Sequence, residues 1–181
     1  AGAVILPIQA GSCTTTIAGN TANATKSPQT AFIPSATDDD IWYKFTTPAS
    51  SDPEARFMVM LQLSNLAFTN GAEDIFLERR EGATFICDDY YPDNQTFYVG
   101  SPANWMMTGL KPSTVYSIRL YTNNESSRVA FDICLYIPTP PANDNCEAPV
   151  ALTPQLNTCT PSGPFSTLAA TKSPQASGDG S

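Results

Sequence analysis

The chain contains no histidine, and only 14% of its 181 residues are charged. Without histidine, neither a serine-histidine-aspartate triad nor a metal site with imidazole ligands can be built from these residues. Basic residues are scarce too, because nine Lys and Arg stand against 17 Asp and Glu, for a net charge of −8. A chain this acidic is not expected to bind nucleic acid or an anionic membrane surface.

Long apolar segments and helical periodicity are also missing. The sequence has no continuous apolar run of the roughly 18 residues that a membrane span needs, so no span is expected. The 16 prolines oppose long helices. No two carboxylates are placed as the acid and base of a glycoside hydrolase would be. We therefore expect a protein that is not an enzyme.

The dominant pattern is an alternation of apolar and polar residues with a period of two, which is typical of strands with one buried face. Turn signals such as Asn70-Gly71 and Lys111-Pro112-Ser113 separate the alternating segments. Eight or nine short strands at this spacing predict an all-β fold, an antiparallel β-sandwich of jelly-roll type. The predicted strands cover residues 3–9, 14–18, 41–45, 57–63, 74–79, 83–87, 103–108, 116–121 and 129–136.

The end of the chain repeats its beginning. Residues 147–181 align with residues 1–35 without a gap after a shift of 146, with 13 identities in 35 positions. The identities include Cys159 on Cys13 and the run Ala-Thr-Lys-Ser-Pro-Gln, which starts at Ala24 and again at Ala170. A fixed offset of domain size is the signature of a modular array.

The repeat divides the chain into three parts. Residues 1–137 are expected to form one module, and residues 144–181 the N-terminal part of the next repeat, which is incomplete here. Between them, residues 138–143 form a linker in which prolines favour an extended, semi-rigid conformation.

The chain has five cysteines, an odd number that the repeat accounts for. Cys146 corresponds to the position before Ala1, so a complete module would hold four cysteines and two bridges, in one of three connectivities. We predict Cys87–Cys134 and Cys146–Cys159, which leaves Cys13 unpaired in this chain. Two bridges per module imply an oxidising location, extracellular or at the cell surface.

Five segments, taken in order, carry a resemblance to a known family. They are DDDIWYKF at 38–45, EDIFL at 73–77, CDD at 87–89, TGLKPSTVYSIRLY at 108–121 and PPANDNCEA at 140–148. This series resembles pre-peptidase C-terminal (PPC)-like modules, above all those found in tandem in large secreted and surface proteins of Bacteroidetes. The resemblance implies a β-sandwich of jelly-roll type and an accessory role, beside peptidases and glycosidases or within long adhesins.

The resemblance also implies a calcium site. Related collagen-binding modules bind calcium through an Asn-Asp linker and through aspartates before the equivalent Trp/Tyr strand, and oxygen-rich clusters of this kind suit calcium. The matching residues here are Asp38 and Asp40 for the first module, and Asn143 and Asp144 for the second. The alternative is a solvated acidic turn ahead of a strand.

Aromatic residues in or beside a predicted loop are candidates for stacking on a ligand. Tyr90, Tyr91 and Tyr98 fit this description, whereas Trp42 lies within a motif strand and is expected to be packed.

The sequence therefore predicts a non-catalytic extracellular repeat module, a spacer or adhesive unit of a long cell-surface protein or filament. Its expected partners are neighbouring modules or identical chains, including strand exchange through residues 144–181. The alternative is a carbohydrate- or protein-binding accessory module of a secreted enzyme, with a surface polysaccharide or protein as its partner.

Overall fold

The computed structural model describes residues 2–27, 40–69, 74–81, 84–85, 94–98, 103–122, 127–144, 151, 167–168 and 170. The chain divides into two compact units, Ala1–Ile137 and Pro138–Ser181.

Every regular element among the described residues is a β-strand, as the alternation predicts. The strands are β1 (Val4–Ile5), β2 (Ile8–Gly11), β3 (Ile17–Asn20), β4 (Asp40–Thr46), β5 (Phe57–Thr69), β6 (Asp74–Glu81), β7 (Thr84–Phe85), β8 (Asn94–Tyr98), β9 (Ala103–Leu110), β10 (Val115–Thr122) and β11 (Arg128–Pro138).

The strands form two sheets that pack against each other. The first sheet has the order β1-β4-β10-β6-β7, and β8 also pairs with β6. The second has the order β2-β11-β5-β9, and β3 also pairs with β11. The predicted all-β sandwich is thus confirmed. The long strands pair antiparallel, whereas the short strand β1 runs parallel to β4 with Val4 opposite Tyr43.

The order of the strands favours the jelly-roll type, which stays a prediction. Along the antiparallel pairs, the first sheet reads β4-β10-β6-β8 and the second reads β3-β11-β5-β9. Several consecutive strands therefore lie in opposite sheets, as in an eight-stranded sandwich of two Greek keys.

The core lies between the sheets and consists of the apolar phase of each long strand. On β5, Val59, Leu61 and Leu63 are fully buried, whereas Gln62 is only half-buried. Aromatic rings join the sheets, since Tyr43 on β4 packs edge-on against Phe131 on β11 with ring centroids 6.4 Å apart. Alternation along the sequence thus identified the buried face of these strands.

The disulfide pairing differs from the prediction. Cys134 on β11 is bonded to Cys13, with a Cα–Cα distance of 6.1 Å, so the predicted Cys87–Cys134 bridge and the unpaired Cys13 are both wrong. The reason lies in the topology, because β2 and β3 both pair with β11 and bring the segment between them beside Cys134. Cys87, Cys146 and Cys159 lie outside the described residues.

Candidate functional site

The outer face of the first sheet, which faces away from the core, carries a buried group of charged residues. We call Asp40, Glu78, Arg80 and Arg119 the charged cluster. All four are at most 7% exposed. They lie on the adjacent strands β4, β6 and β10, at positions that alternate with core residues such as Ile118.

Strand register brings the cluster together. Arg119 on the central strand β10 lies opposite Trp42 on β4 and opposite Glu78 on β6. In the next row, Tyr121 lies between Asp40 and Phe76. Residues at such positions on adjacent strands have neighbouring side chains, so the antiparallel pairing alone places both carboxylates beside Arg119.

The cluster holds two cationic and two anionic groups, and these neutralise one another. The Nε of Arg119 lies 2.6 Å from Oδ2 of Asp40, with both side chains fully buried. Glu78 Oε2 lies 3.8 Å from Nη1 of Arg119 and 3.6 Å from Nη2 of Arg80. Pairing of this kind is what permits four charges to be buried, because an isolated buried charge loses several kcal/mol of hydration.

Asp40 uses both carboxylate oxygens to hold the chain. The backbone N–H of Ser27 donates to Oδ1 at 2.8 Å. The indole N–H of Trp42 lies 3.0 Å from Oδ2 and 2.7 Å from Oγ of Ser27. Thr21 fastens the same segment to the second sheet, since its N–H donates to Val129 O and its Oγ1 accepts from Val129 N–H, both at 3.0 Å. Asp40 is therefore the point at which the segment after β3 is fixed to β4.

The aromatic rings on this face pack against the arginines. The guanidinium carbons of Arg80 and Arg119 each lie 5.5 Å from the Trp42 ring centroid, within the range of a cation–π contact. The Tyr121 ring stacks on Phe76 with centroids 5.4 Å apart, and its hydroxyl donates to Glu78 Oε1 at 2.7 Å. Trp42 is half-buried in this packing, in keeping with its predicted packed position.

The arrangement supports a structural role. Each of the two carboxylates contacts groups on another strand or segment, so the cluster fixes the register of β4, β10 and β6 and the position of Ser27. Hydrogen bonds in such a buried network make a fold specific, and here they join Asp40 to Ser27, Trp42 and Arg119, and Glu78 to Tyr121. On this face of the sheet, charged side chains and aromatic rings therefore pack together and hold the strands in register.

The predicted calcium ligands are spread over both units. Asp40 belongs to the charged cluster, where calcium would have to compete with Arg119 for the carboxylate. Asn143 and Asp144 belong to the second unit, where the Asp144 N–H donates to Pro141 O at 3.0 Å. Asp38 lies outside the described residues. Within the described part of the chain, no three Cys, Asp or Glu side chains are grouped as a metal site. The calcium site stays a prediction.

The predicted stacking residues are not tested. Tyr90 and Tyr91 lie outside the described residues. The backbone of Tyr98 is at the end of β8, opposite Asp74 on β6, and its side chain is outside the description.

No motif in the sequence marks Glu78, Arg80 and Arg119 as a group. The available signal was that all three are charged and lie on the polar phase of apolar strands. Their proximity depends on the strand order β4-β10-β6, which does not follow the order along the chain.

No protein-family model matches this sequence, and no curated protein or solved structure gives a significant match. Among the residues that the structure describes, no helix is long and apolar enough to cross a membrane.

Proposed function

We propose that the chain is a non-catalytic extracellular repeat module, a spacer or adhesive unit of a long cell-surface protein or filament of the PPC-like type. Its partners are then the neighbouring modules, or identical chains that exchange strands through residues 144–181. Calcium bound at aspartates near the linker would add stiffness between modules.

The observation that carries this proposal is the repeat at an offset of 146, which has a structural counterpart. In the first unit, the Ala24 N–H donates to Thr21 O at 3.0 Å. At the equivalent positions of the second unit, the Ala170 N–H donates to Thr167 O at 3.0 Å. The same hydrogen bond, from an alanine N–H to a threonine carbonyl oxygen, thus recurs at equivalent positions, which supports the assignment of residues 144–181 to a second copy of the module.

Two further features support an extracellular spacer. The Cys13–Cys134 bond joins residues that are 121 positions apart, and disulfides persist mainly in oxidising compartments. The last described strand ends at Pro138, Pro140 and Pro141 follow it, and prolines at this density favour an extended connection.

Antibody labelling of intact source cells tests this proposal, combined with the intact mass of the native, non-reduced protein. We expect surface labelling and a mass well above 19.4 kDa, since several modules would be present. Labelling only after permeabilisation, or a mass near 19.4 kDa, would contradict it. Saturable binding to one polysaccharide on a glycan array, with a single module in the native protein, would favour the accessory binding module instead.

A further inference from the structure

The disulfide joins the beginning of the sandwich to its end. Cys13 follows β2 and precedes β3, both of which pair with the last strand, β11, where Cys134 lies. Cys134 is only 3% exposed, so the bond lies against the sheet. The two sulfur-bearing residues are 121 positions apart in sequence, with a Cα–Cα distance of 6.1 Å.

This position makes the bond the shortest covalent path through the module. A pulling force applied to the two ends of the chain enters before Cys13 and leaves after Cys134. Strands β3 to β10 lie wholly inside the loop that the bond closes. The charged cluster and most of the core lie there as well. Of the described strands, only β1, β2 and the end of β11 lie outside the loop, so the contacts among the enclosed strands are shielded from the load.

We propose that the Cys13–Cys134 bond is a covalent strap that carries tension across the module, so that the strands inside the closed loop are not pulled apart. Its biological purpose rests on the proposed function, whereas the strap itself is a property of this chain. A spacer in a surface filament needs a fixed length under shear, and a covalent bond supplies it where a marginally stable β-sandwich would not.

The repeat predicts how little of each module remains extensible. Cys159 is the sequence counterpart of Cys13, so in a full array we expect it to bond to the counterpart of Cys134 and not to Cys146. The strap of one module then ends 25 residues before the next begins (159 − 134). An extended residue spans at most about 3.6 Å, so these residues give about 90 Å of extension. Without straps, the full repeat of 146 residues would give about 530 Å.

Single-molecule pulling of the complete 181-residue chain tests the strap, with one handle at each end. For the oxidised wild type, we expect that the residues between Cys13 and Cys134 add no extension at forces that unfold other β-sandwiches. The variant C13S/C134S should show an additional step of about 430 Å, from the 121 residues that the bond otherwise shields. C87S serves as the matched control and should behave like the wild type.

Reductant provides a second readout that does not depend on how the variant folds. When a reductant is added to a wild-type molecule held under tension, one new step of about 430 Å should appear as the bond is cleaved. A step of about 170 Å would indicate the Cys87–Cys134 pairing and overturn the proposal, since that loop spans 47 residues (134 − 87). Release of the 121 residues before reduction would overturn it as well.

The two proposals fail in different experiments. Absence of surface labelling would contradict the proposed role in a surface filament, but it would not affect the pulling experiment on the disulfide strap. A module that unravels while oxidised would remove the strap and leave the assignment of the repeat array intact.

Discussion

Asp40 illustrates how much a single buried carboxylate holds, since both of its oxygens accept hydrogen bonds. The substitution Asp40→Asn keeps the shape of the side chain but offers only one oxygen. In either orientation, the new amide N–H₂ faces a donor, which is the Ser27 N–H on one side or the Arg119 and Trp42 N–H groups on the other. We expect a loss of about 3–5 kcal/mol in the free energy of unfolding, measured by urea denaturation.

The matched control is an ion pair at the surface. Lys111 Nζ lies 2.9 Å from Oε1 of Glu81, and more than half of the Lys111 side chain is exposed. This hydrogen bond raises the pKa of Lys111 above its already high ordinary value, so the ammonium group is charged at neutral pH. Because water and salt screen such a pair, Glu81→Gln should hardly change the urea midpoint. Equal losses in the two variants would show that burial gives Asp40 no special role.

Tyr43 makes stability depend on alkaline pH. Burial raises the pKa of its hydroxyl from 10.0 to about 12, because the core disfavours the phenolate. A folded-state pKa above the unfolded value means that the stabilising contribution is complete below pH 10 and is lost as the pH rises towards about 12.

The measurement for Tyr43 is urea denaturation between pH 9 and 12, and Tyr43→Phe is the comparison. The free energy of unfolding of the wild type should fall more steeply with pH than that of the variant. Only the wild type has a hydroxyl at this position, and unfolding lets that hydroxyl ionise more easily than the folded core does. Parallel curves for the two proteins would show that Tyr43 ionises without cost to the fold.

At the scale of the strand, β3 lies so close to the core that it leaves no space for a side chain at Gly19. A Cβ at this position would clash with the Tyr43 hydroxyl and with the Phe131 ring. Gly19→Ala therefore requires β3 or both rings to shift, and we expect a loss of about 1–3 kcal/mol in the free energy of unfolding. Gly2→Ala is the control, because nothing lies within 4 Å of its Cβ and no loss is expected. Thermal unfolding of both variants provides the comparison.

Most strands could be predicted from the sequence because their alternation is a local property. The core residues of β4, β5, β10 and β11 follow directly from it, and predicted segments overlap ten of the eleven strands. The exception is β8, which no predicted segment covers and whose first residue, Asn94, follows the turn-forming residues Pro92 and Asp93 in the sequence. It pairs with β6, and this long-range contact outweighs the local signal from Pro92 and Asp93.

The candidate site could not be predicted in the same way because it depends on which strands are neighbours. The alternation places Arg119 on the polar phase of β10, where a charged residue is ordinarily solvated. Arg119 is fully buried, and it meets Asp40 and Glu78 only because β10 lies between β4 and β6. The pairing of Cys13 with Cys134 depends likewise on β2 and β3 joining the edge of β11, which four cysteines in sequence do not reveal.

For the molecule as a whole, the Cys13–Cys134 bond restricts the conformations of the unfolded chain as well as linking two segments of the folded one. A closed loop of this length restricts the unfolded chain, and bridges across about 100 residues stabilise by up to about 4.7 kcal/mol in the chain-entropy model. We expect the variant C13A/C134A to lose about 2–5 kcal/mol relative to the oxidised wild type, measured by urea denaturation. The m-value should rise, because the unfolded variant exposes more surface to the denaturant.

Single variants separate this strap from any exchange among the remaining cysteines. If the bond acts as one unit, Cys13→Ala alone should lose as much stability as the double variant, since Cys134 is left without its partner. Adding a reductant should then leave the free energy of unfolding of the β-sandwich unchanged in both Cys13→Ala and the double variant. Cys87→Ala should keep both the m-value and the response to reductant of the wild type. A Cys13→Ala protein would instead keep wild-type stability and remain sensitive to reductant only if Cys134 bonds to another cysteine. That result would show that the Cys13–Cys134 bond is not what stabilises the module.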